Sequence, residues 1–109
     1  MTKVLAVTVV MALAATPGVA VAQAESLTLA SELGSVLGAE AACGLKYNQE
    51  AIKAFIDAKV RADDMKFPSM LQSLSQGTAY RLKSMSESEK TAYCAQVTRV
   101  ARTNKFIRD

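Results

Sequence analysis

The residues that could catalyse a reaction or hold a metal are few in this chain and widely separated. Its 109 residues include no His and only two Cys, Cys43 and Cys94. Without His the chain lacks the commonest general base and the commonest zinc ligand, and two cysteines cannot form a four-cysteine zinc site. Asp63 and Asp64 are adjacent carboxylates, which can do acid–base chemistry or bind a metal, but their position in a connection before a helix favours a helix cap or a solvated turn. We therefore expect no catalytic residue, no metal, no cofactor and no enzymatic activity.

The C-terminal third of the chain is its most basic part. The sequence has 13 Lys and Arg against 10 Asp and Glu, a formal charge of +3 that is too small to predict a nucleic-acid partner. Arg99, Arg102 and Lys105 follow at intervals of three, so they fan across one side of a predicted helix. These three residues are a candidate site for binding an envelope protein or an anionic surface such as lipid head groups or an acidic glycan. The alternative is that these bases only stabilise a helix C terminus and keep the surface soluble.

Residues 1–24 have the pattern of a secretory signal peptide. Lys3 precedes an uncharged apolar run over residues 4–15, the Pro17–Gly18 pair is expected to break any helix, and small residues follow. Cleavage is expected after Ala22 or Ala24, with Ala24 preferred. The alternative is a membrane anchor, since residues 4–22 are just long enough to span a bilayer. Cleavage would leave a single domain, residues 25–109, that is periplasmic or secreted and not inserted in a membrane.

Export would allow the two cysteines to form a disulfide. An exported chain meets an oxidising compartment, and two cysteines allow one intramolecular pairing, so we expect a Cys43–Cys94 disulfide. It would close a loop of about 50 residues and stabilise the domain by about 4 kcal/mol on a chain-entropy argument. The alternative is a reactive thiol, but the chain has no C-x-x-C motif and no His to form a thiolate pair.

Apolar residues recur at helical spacing throughout the predicted mature chain, and no segment alternates as a strand does. The sequence therefore predicts an all-α fold, a small four-helix bundle with one disulfide. The expected helices cover about residues 27–45, 48–60, 68–83 and 86–105.

Local signals support these boundaries. Asn48 is a good N-cap, Pro68 suits a first turn, and Ser86 with Glu89 forms a capping-box sequence. Gly77 is expected to kink or split the third helix.

Three further sets of residues are assigned to packing. Gly34 and Gly38 lie four apart, so they share a helix face on which another helix can approach closely. Aromatic rings with one polar tip usually lie at the edge of a core, and scattered methionines usually fill it. We therefore expect packing roles, and neither a ligand pocket nor a copper site, for Tyr47, Tyr80, Tyr93, Met65, Met70 and Met85.

Several short motifs resemble a family of small exported alphaproteobacterial proteins. The similar pieces, which span residues 29–107, are Ser31-Glu32-Leu33-Gly34, Cys43-Gly44-Leu45 with Ala51-Ile52, Asp63-Asp64-Met65, Tyr80-Arg81-Leu82-Lys83 and Cys94. The function of that family is unsettled. Some of its members carry a "signal recognition particle" label, which does not suit an exported chain without a GTP-binding motif. The resemblance implies an exported helical protein. In architecture the chain is also similar to periplasmic acid-stress chaperones of the HdeA type, which are small, helical and exported, with two well-separated cysteines.

Two functions fit these observations. The first is an exported binding or chaperone-like protein without catalytic machinery. At acidic pH its carboxylates become protonated, and the remaining positive charges repel one another, which would loosen the helical bundle and expose apolar faces. The second is a structural or interaction protein that docks an anionic envelope or membrane partner through its basic C-terminal helix. Suppression of client aggregation at low pH would distinguish the first, and binding that disappears with salt would distinguish the second.

Overall fold

The computed structural model describes residues 17–108, so residues 1–16 of the expected signal peptide and Asp109 lie outside the described part. Four helices follow one another in this part: α1 (Pro17–Leu37), α2 (Gln49–Lys59), α3 (Phe67–Ser84) and α4 (Glu87–Thr103). No strand occurs between residues 17 and 108. The prediction of an all-α four-helix fold is confirmed.

Helix α1 begins ten residues before the expected start at residue 27. Helix α1 continues through Gly18, so the expected interruption at Gly18 is wrong. The expected break of the apolar run before Pro17 lies outside the described residues. Helix α1 therefore passes through Ala22 and Ala24, the two expected cleavage positions. From Val21 onward its first buried residue is Ala30, so residues 21–24 contribute no buried side chain. Cleavage itself stays a prediction.

The other end of α1 also differs from the prediction, because the helix ends at Leu37 and not near residue 45. At Ala39 and Glu40 the backbone N–H groups bond three residues back, over 3.2 and 3.3 Å, and the chain tightens into turns. These turns end at Gly44, which has a φ of 64°. The Leu45 N–H bonds to the Glu40 carbonyl over 2.9 Å, the bond expected where a helical segment ends in a left-handed residue.

The local signals for the other three helices are confirmed, with one exception. The Asn48 side chain accepts bonds from two backbone N–H groups at the start of α2. Pro68 lies in the first turn of α3. Ser86 and Glu89 form the complete capping box at the start of α4. The expected split at Gly77 is wrong, because α3 continues through it from Phe67 to Ser84.

The tightest packing in the described fold joins α1 to α3. A Cβ atom placed on Gly34 would lie 2.9 Å from the Leu74 Cβ, and one on Gly38 would lie 2.7 Å from the Thr78 Cβ. Separations this short leave no room for a methyl group, so the predicted close approach at these glycines is confirmed. The buried apolar core extends from this contact and comprises Ala30, Leu33, Val36, Ala39, Tyr47, Phe67, Leu82, Val97, Ala101 and Phe106.

Helix α2 packs more loosely than the other helices. None of its residues is fully buried, and its apolar stripe is only half-buried. Its main anchor is Phe106, beyond the end of α4. The Phe106 carbonyl accepts a 2.7 Å bond from the Asn48 N–H, and the Phe55 and Phe106 ring centroids are 5.8 Å apart. Phe106 therefore connects the start and the middle of α2 to the chain beyond α4, while the apolar stripe of α2 packs half-buried against the core.

The predicted disulfide is present. Cys43 and Cys94 are bonded, with a Cα–Cα distance of 5.4 Å and a sequence separation of 51 residues. Because α1 ends at Leu37, the bond joins the turns after α1, and not the helix itself, to the middle of α4. None of the four helices within residues 17–108 combines the length and the hydropathy that a membrane crossing needs.

Candidate functional site

The three basic residues predicted as a site line two adjoining concavities. All three are exposed, and Arg99 and Arg102 lie on α4. Lys105 was expected on the same helix, but α4 ends at Thr103 and Lys105 adopts a left-handed turn with a φ of 61°. Arg99 and Arg102 line a shallow concavity beside the disulfide, whereas Arg102 and Lys105 line a second concavity near the start of α2. Arg102 is therefore shared between two surfaces.

A groove with mostly apolar lining residues lies between α1, α2 and α4. Its volume is about 690 Å³, and it is neither an enclosed cavity nor a flat surface. Helix α1 forms one wall, α4 forms the opposite wall, and the C-terminal half of α2 closes one side. Its lining comprises Leu29, Glu32, Leu33, Ser35, Val36, Phe55, Lys59, Tyr93, Gln96, Val97, Val100 and Asn104. We call this concavity the groove.

Helical periodicity explains how each wall presents its apolar side chains. On α1 the apolar lining residues Leu29, Leu33 and Val36 are four and three positions apart, which places them on one face. The α4 wall has the same spacing from Tyr93 through Val97 to Val100. Leu33 and Val36 on α1 and Val97 on α4 are buried, whereas Leu29, Tyr93 and Val100 remain half-buried along the groove.

The polar groups of the groove fall into two sets. The Tyr93 hydroxyl donates to the Ser35 carbonyl over 3.1 Å, and the Asn104 amide donates to the backbone over 3.1 Å, so both have hydrogen-bond partners. The side chains of Glu32 on α1 and Lys59 on α2 are exposed and make no hydrogen bond or ion pair within residues 17–108. The groove therefore offers an apolar surface with one unpaired acid and one unpaired base on its walls.

The two adjacent carboxylates have different roles: Asp64 bonds to the start of α3, as a cap does, and Asp63 lies in a solvated turn. Asp64 accepts bonds from the N–H groups of Lys66 and Phe67 at the start of α3. It also accepts a bond from the Ser26 hydroxyl on α1, and this bond, followed by the backbone bonds, lowers the pKa of Asp64 below its ordinary value. Asp63 pairs with the Arg61 guanidinium at the surface. Within residues 17–108 no group of three or more His, Cys, Asp or Glu side chains comes together to hold a metal.

The tyrosines have three different environments. The buried Tyr47 donates its hydroxyl to the Val36 carbonyl over 2.8 Å, and burial, with the nearby Glu40 carboxylate, raises the pKa of Tyr47 to about 12. Tyr93 is half-buried in the groove wall. Tyr80 was expected at the edge of the core, but it is 73% exposed.

The methionines divide in the same way. Met70 and Met85 pack against the core as expected. The packing expected of Met65 is wrong, because this side chain lies in the turn before α3 and is 82% exposed.

Sequence patterns predicted the groove residues as core and did not reveal the groove. The apolar spacing on α1, α2 and α4 is the spacing expected of side chains that fill a core. Whether they fill it depends on the separation of the helices, which the pattern does not encode. The one available signal was the polar pair Glu32 and Lys59 beside those apolar faces. No protein-family profile, curated protein or solved structure matches this chain.

Proposed function

We propose that this protein is an exported helical binding protein and that its groove receives an amphipathic helix of a partner protein. The observation that carries the proposal is the open apolar groove of about 690 Å³ between α1, α2 and α4. A domain of this size has little apolar surface to spare beyond its own core. Half-exposed apolar side chains on three helices are stabilised when another apolar surface covers them.

The shape of the groove favours a helix over a small molecule. Small-molecule sites usually enclose roughly 70–90% of the ligand surface. This groove is not an enclosed cavity, so a small apolar ligand in it would remain partly in water. An amphipathic helix needs only its apolar face covered, and its polar face then stays in water.

The dimensions of the walls also fit a helix. Helix α1 lines the groove from Leu29 to Val36, and α4 lines it from Tyr93 to Asn104. At 1.5 Å per residue these walls are about 10 and 16 Å long, or two to three helical turns. A partner helix would therefore insert apolar residues at positions such as i, i+3, i+4 and i+7.

The two unpaired charges give the site a means of orienting its partner. Glu32 lies on the α1 wall and Lys59 on the α2 wall, and both are exposed. A partner helix with a base near Glu32 and an acid near Lys59 would form two ion pairs across the groove. Such rim pairs add little affinity, but they disfavour the reversed orientation because it places like charges together.

Export belongs to the same proposal. A disulfide persists in oxidising compartments, so the Cys43–Cys94 bond supports a periplasmic or secreted location, as does the expected leader. In the chaperone-like version of this function, the groove binds apolar segments of client proteins that acid has partly unfolded. Suppression of client aggregation at low pH by the wild type, and not by a groove variant, would support that version.

The binding test uses the oxidised protein and a labelled synthetic amphipathic peptide with leucines at i, i+3, i+4 and i+7. We expect saturable binding by fluorescence anisotropy, and we expect Leu29→Asp to weaken it by about tenfold or more, because a carboxylate in the groove would lose its hydration. The matched control is Met65→Asp, which places the same charge on an exposed apolar residue outside the groove. Equal binding by both variants, with their helicity intact, would overturn the proposal.

A second test concerns orientation. Two peptides share the same apolar face but carry their terminal acid and base in opposite order. The wild type should prefer one of them, and a variant combining Glu32→Lys with Lys59→Glu should prefer the other. Both replaced residues are exposed and unpaired within the described chain, so we expect the fold to be retained. If neither protein discriminates between the peptides, Glu32 and Lys59 do not orient a partner.

A further inference from the structure

The Cys43–Cys94 disulfide lies in a concavity that is open to solvent. Both cysteines line the shallow concavity beside the bond, which has a volume of about 680 Å³, and neither cysteine is fully buried. We call it the disulfide concavity. Ala42 and Cys43 line it from the turns after α1, and one side of α4, which includes Cys94, Ala95 and Thr98, completes it. Disulfides exposed to solvent are those that thiols reduce most readily.

Helix α4 separates the disulfide concavity from the groove. Tyr93, Val97 and Val100 line the groove, whereas Cys94 and Thr98 line the disulfide concavity. The two concavities share no lining residue. A reductant in the disulfide concavity would therefore not compete with a helix bound in the groove.

The disulfide helps to fix the α4 wall of the groove. It joins Cys94 to the turns after α1, and the neighbouring residue Tyr93 donates its hydroxyl to the Ser35 carbonyl over 3.1 Å. The covalent and the hydrogen-bonded connections thus meet α4 at adjacent positions. A single neutral hydrogen bond holds such a position only weakly. Loss of the disulfide would therefore let the α4 wall move away from α1.

The rest of the fold depends less on this bond. The contact of Gly34 and Gly38 with α3 involves neither cysteine. Val97 and Ala101 are buried, so α4 keeps apolar packing against the core when the disulfide is reduced. We therefore expect reduction to change the groove without unfolding the domain.

We propose that the Cys43–Cys94 disulfide is a redox switch for the groove, and that a dithiol reductant opens it from the disulfide concavity. The inference rests on the proposed function of the groove. A thiolate of the dithiol attacks one cysteine Sγ, the S–S bond breaks, and the other cysteine leaves as a thiolate. The second thiolate of the dithiol then attacks the mixed disulfide and releases the remaining cysteine. Two electrons and two protons pass from the dithiol to the protein, and the dithiol becomes a disulfide.

Binding in the groove and reduction of the disulfide are then thermodynamically linked. If the reduced protein binds a groove ligand about tenfold more weakly, the ligand favours the oxidised protein by the same factor. For this two-electron couple a tenfold change in the equilibrium constant corresponds to about 30 mV. A saturating groove ligand should therefore lower the reduction potential of the disulfide by about 30 mV.

The test compares binding of the labelled amphipathic peptide to the oxidised protein and to the protein reduced with dithiothreitol, with helicity followed by circular dichroism. We expect the reduced protein to bind about tenfold more weakly and to keep most of its helicity. The control combines Cys43→Ser with Cys94→Ser. It should bind as weakly as the reduced protein and should not respond to dithiothreitol. Redox titrations with and without saturating peptide measure the expected shift in potential.

The outcomes separate the switch from the function on which it rests. If the oxidised protein does not bind the peptide, the proposed function fails and the switch fails with it. If both forms bind equally, the proposed function stands and the switch is overturned. A reduced protein without helical structure also overturns the switch, because the disulfide would then act only on the stability of the whole fold. Reduction that proceeds only in denaturant overturns it as well, because the disulfide concavity would not admit a reductant.

Discussion

Helix α1 has two sides that are built in opposite ways. Against α3 it packs so closely that neither Gly34 nor Gly38 has room for a methyl group. Towards α4 and α2 the helices stand apart and leave the groove of about 690 Å³. The first side is held by close backbone contact. The second is held by the disulfide beyond the end of α1, by the hydrogen bond from Tyr93 to the Ser35 carbonyl and by the Phe106 side chain.

The α1–α3 side therefore serves chiefly to stabilise this small domain, whereas the groove side is suited to binding. A glycine-mediated contact is rigid because neither helix can shift without a clash. The groove side has half-buried apolar residues on α2 and few hydrogen bonds between its helices, the properties of a region that opens at low free-energy cost. The α1–α3 contact can therefore act as a fixed frame while α2 adjusts to a partner.

The largest expected effect comes from removing the covalent connection on the groove side. Cys43→Ser combined with Cys94→Ser should lower the free energy of unfolding by about 2–5 kcal/mol, because the disulfide no longer restricts the unfolded chain. Chemical denaturation of this variant and of the oxidised wild type measures the difference. In hydrogen exchange, amide protection in α2 and α4 should fall more than in α1 and α3. A uniform loss of protection in all four helices would contradict the proposed difference between the two sides.

A methyl group at the α1–α3 contact should have the next largest effect. Gly38→Ala would place a Cβ against the Ser75 carbonyl and the Thr78 side chain, and such overpacking costs about 1–3 kcal/mol. Gly77→Ala is the matched control, since nothing lies within 4 Å of an added Cβ there. This control should stabilise α3 by about 0.5–1 kcal/mol through helix propensity. Similar denaturation midpoints for the two variants would show that the contact tolerates a methyl group.

Local signals in the sequence were sufficient to predict much of the fold. The caps at Asn48 and Ser86 depend on residues two or three positions away, so the starts of α2 and α4 could be found without knowledge of the tertiary structure. The spacing of Gly34 and Gly38 likewise placed them on one face. The pairing of Cys43 with Cys94 followed from their number and the expected compartment, and it is also confirmed.

The remaining features depend on contacts between distant parts of the chain. Helix α1 ends at Leu37, where the backbone hydrogen bonds change to three-residue turns, although apolar residues continue to recur at helical spacing beyond it. The groove depends on how far α4 and α2 stand from α1, and a core-like spacing of apolar residues predicts no such distance. The concavity near the start of α2 includes Arg108 because Phe106 anchors the chain beyond α4, which the spacing of Arg99, Arg102 and Lys105 did not indicate.

A smaller effect, on the pH dependence of stability, tests the outer end of the α1–α3 side. The hydrogen bond from Ser26 joins α1 to Asp64, and this bond lowers the pKa of Asp64 in the folded protein. A carboxyl whose folded pKa is depressed stabilises the fold above its unfolded pKa of about 3.9, and this contribution is lost as the pH falls through the lower, folded pKa. Asp64→Asn should therefore be less stable than the wild type at pH 7, and the difference should narrow at about pH 2.

Asp63→Asn, which changes a neighbouring carboxylate that pairs only with Arg61 at the surface, is the control and should change the unfolding midpoint far less. Urea denaturation at both pH values measures this convergence, and a constant difference between Asp64→Asn and the wild type would show that Asp64 contributes through its shape and not through its charge.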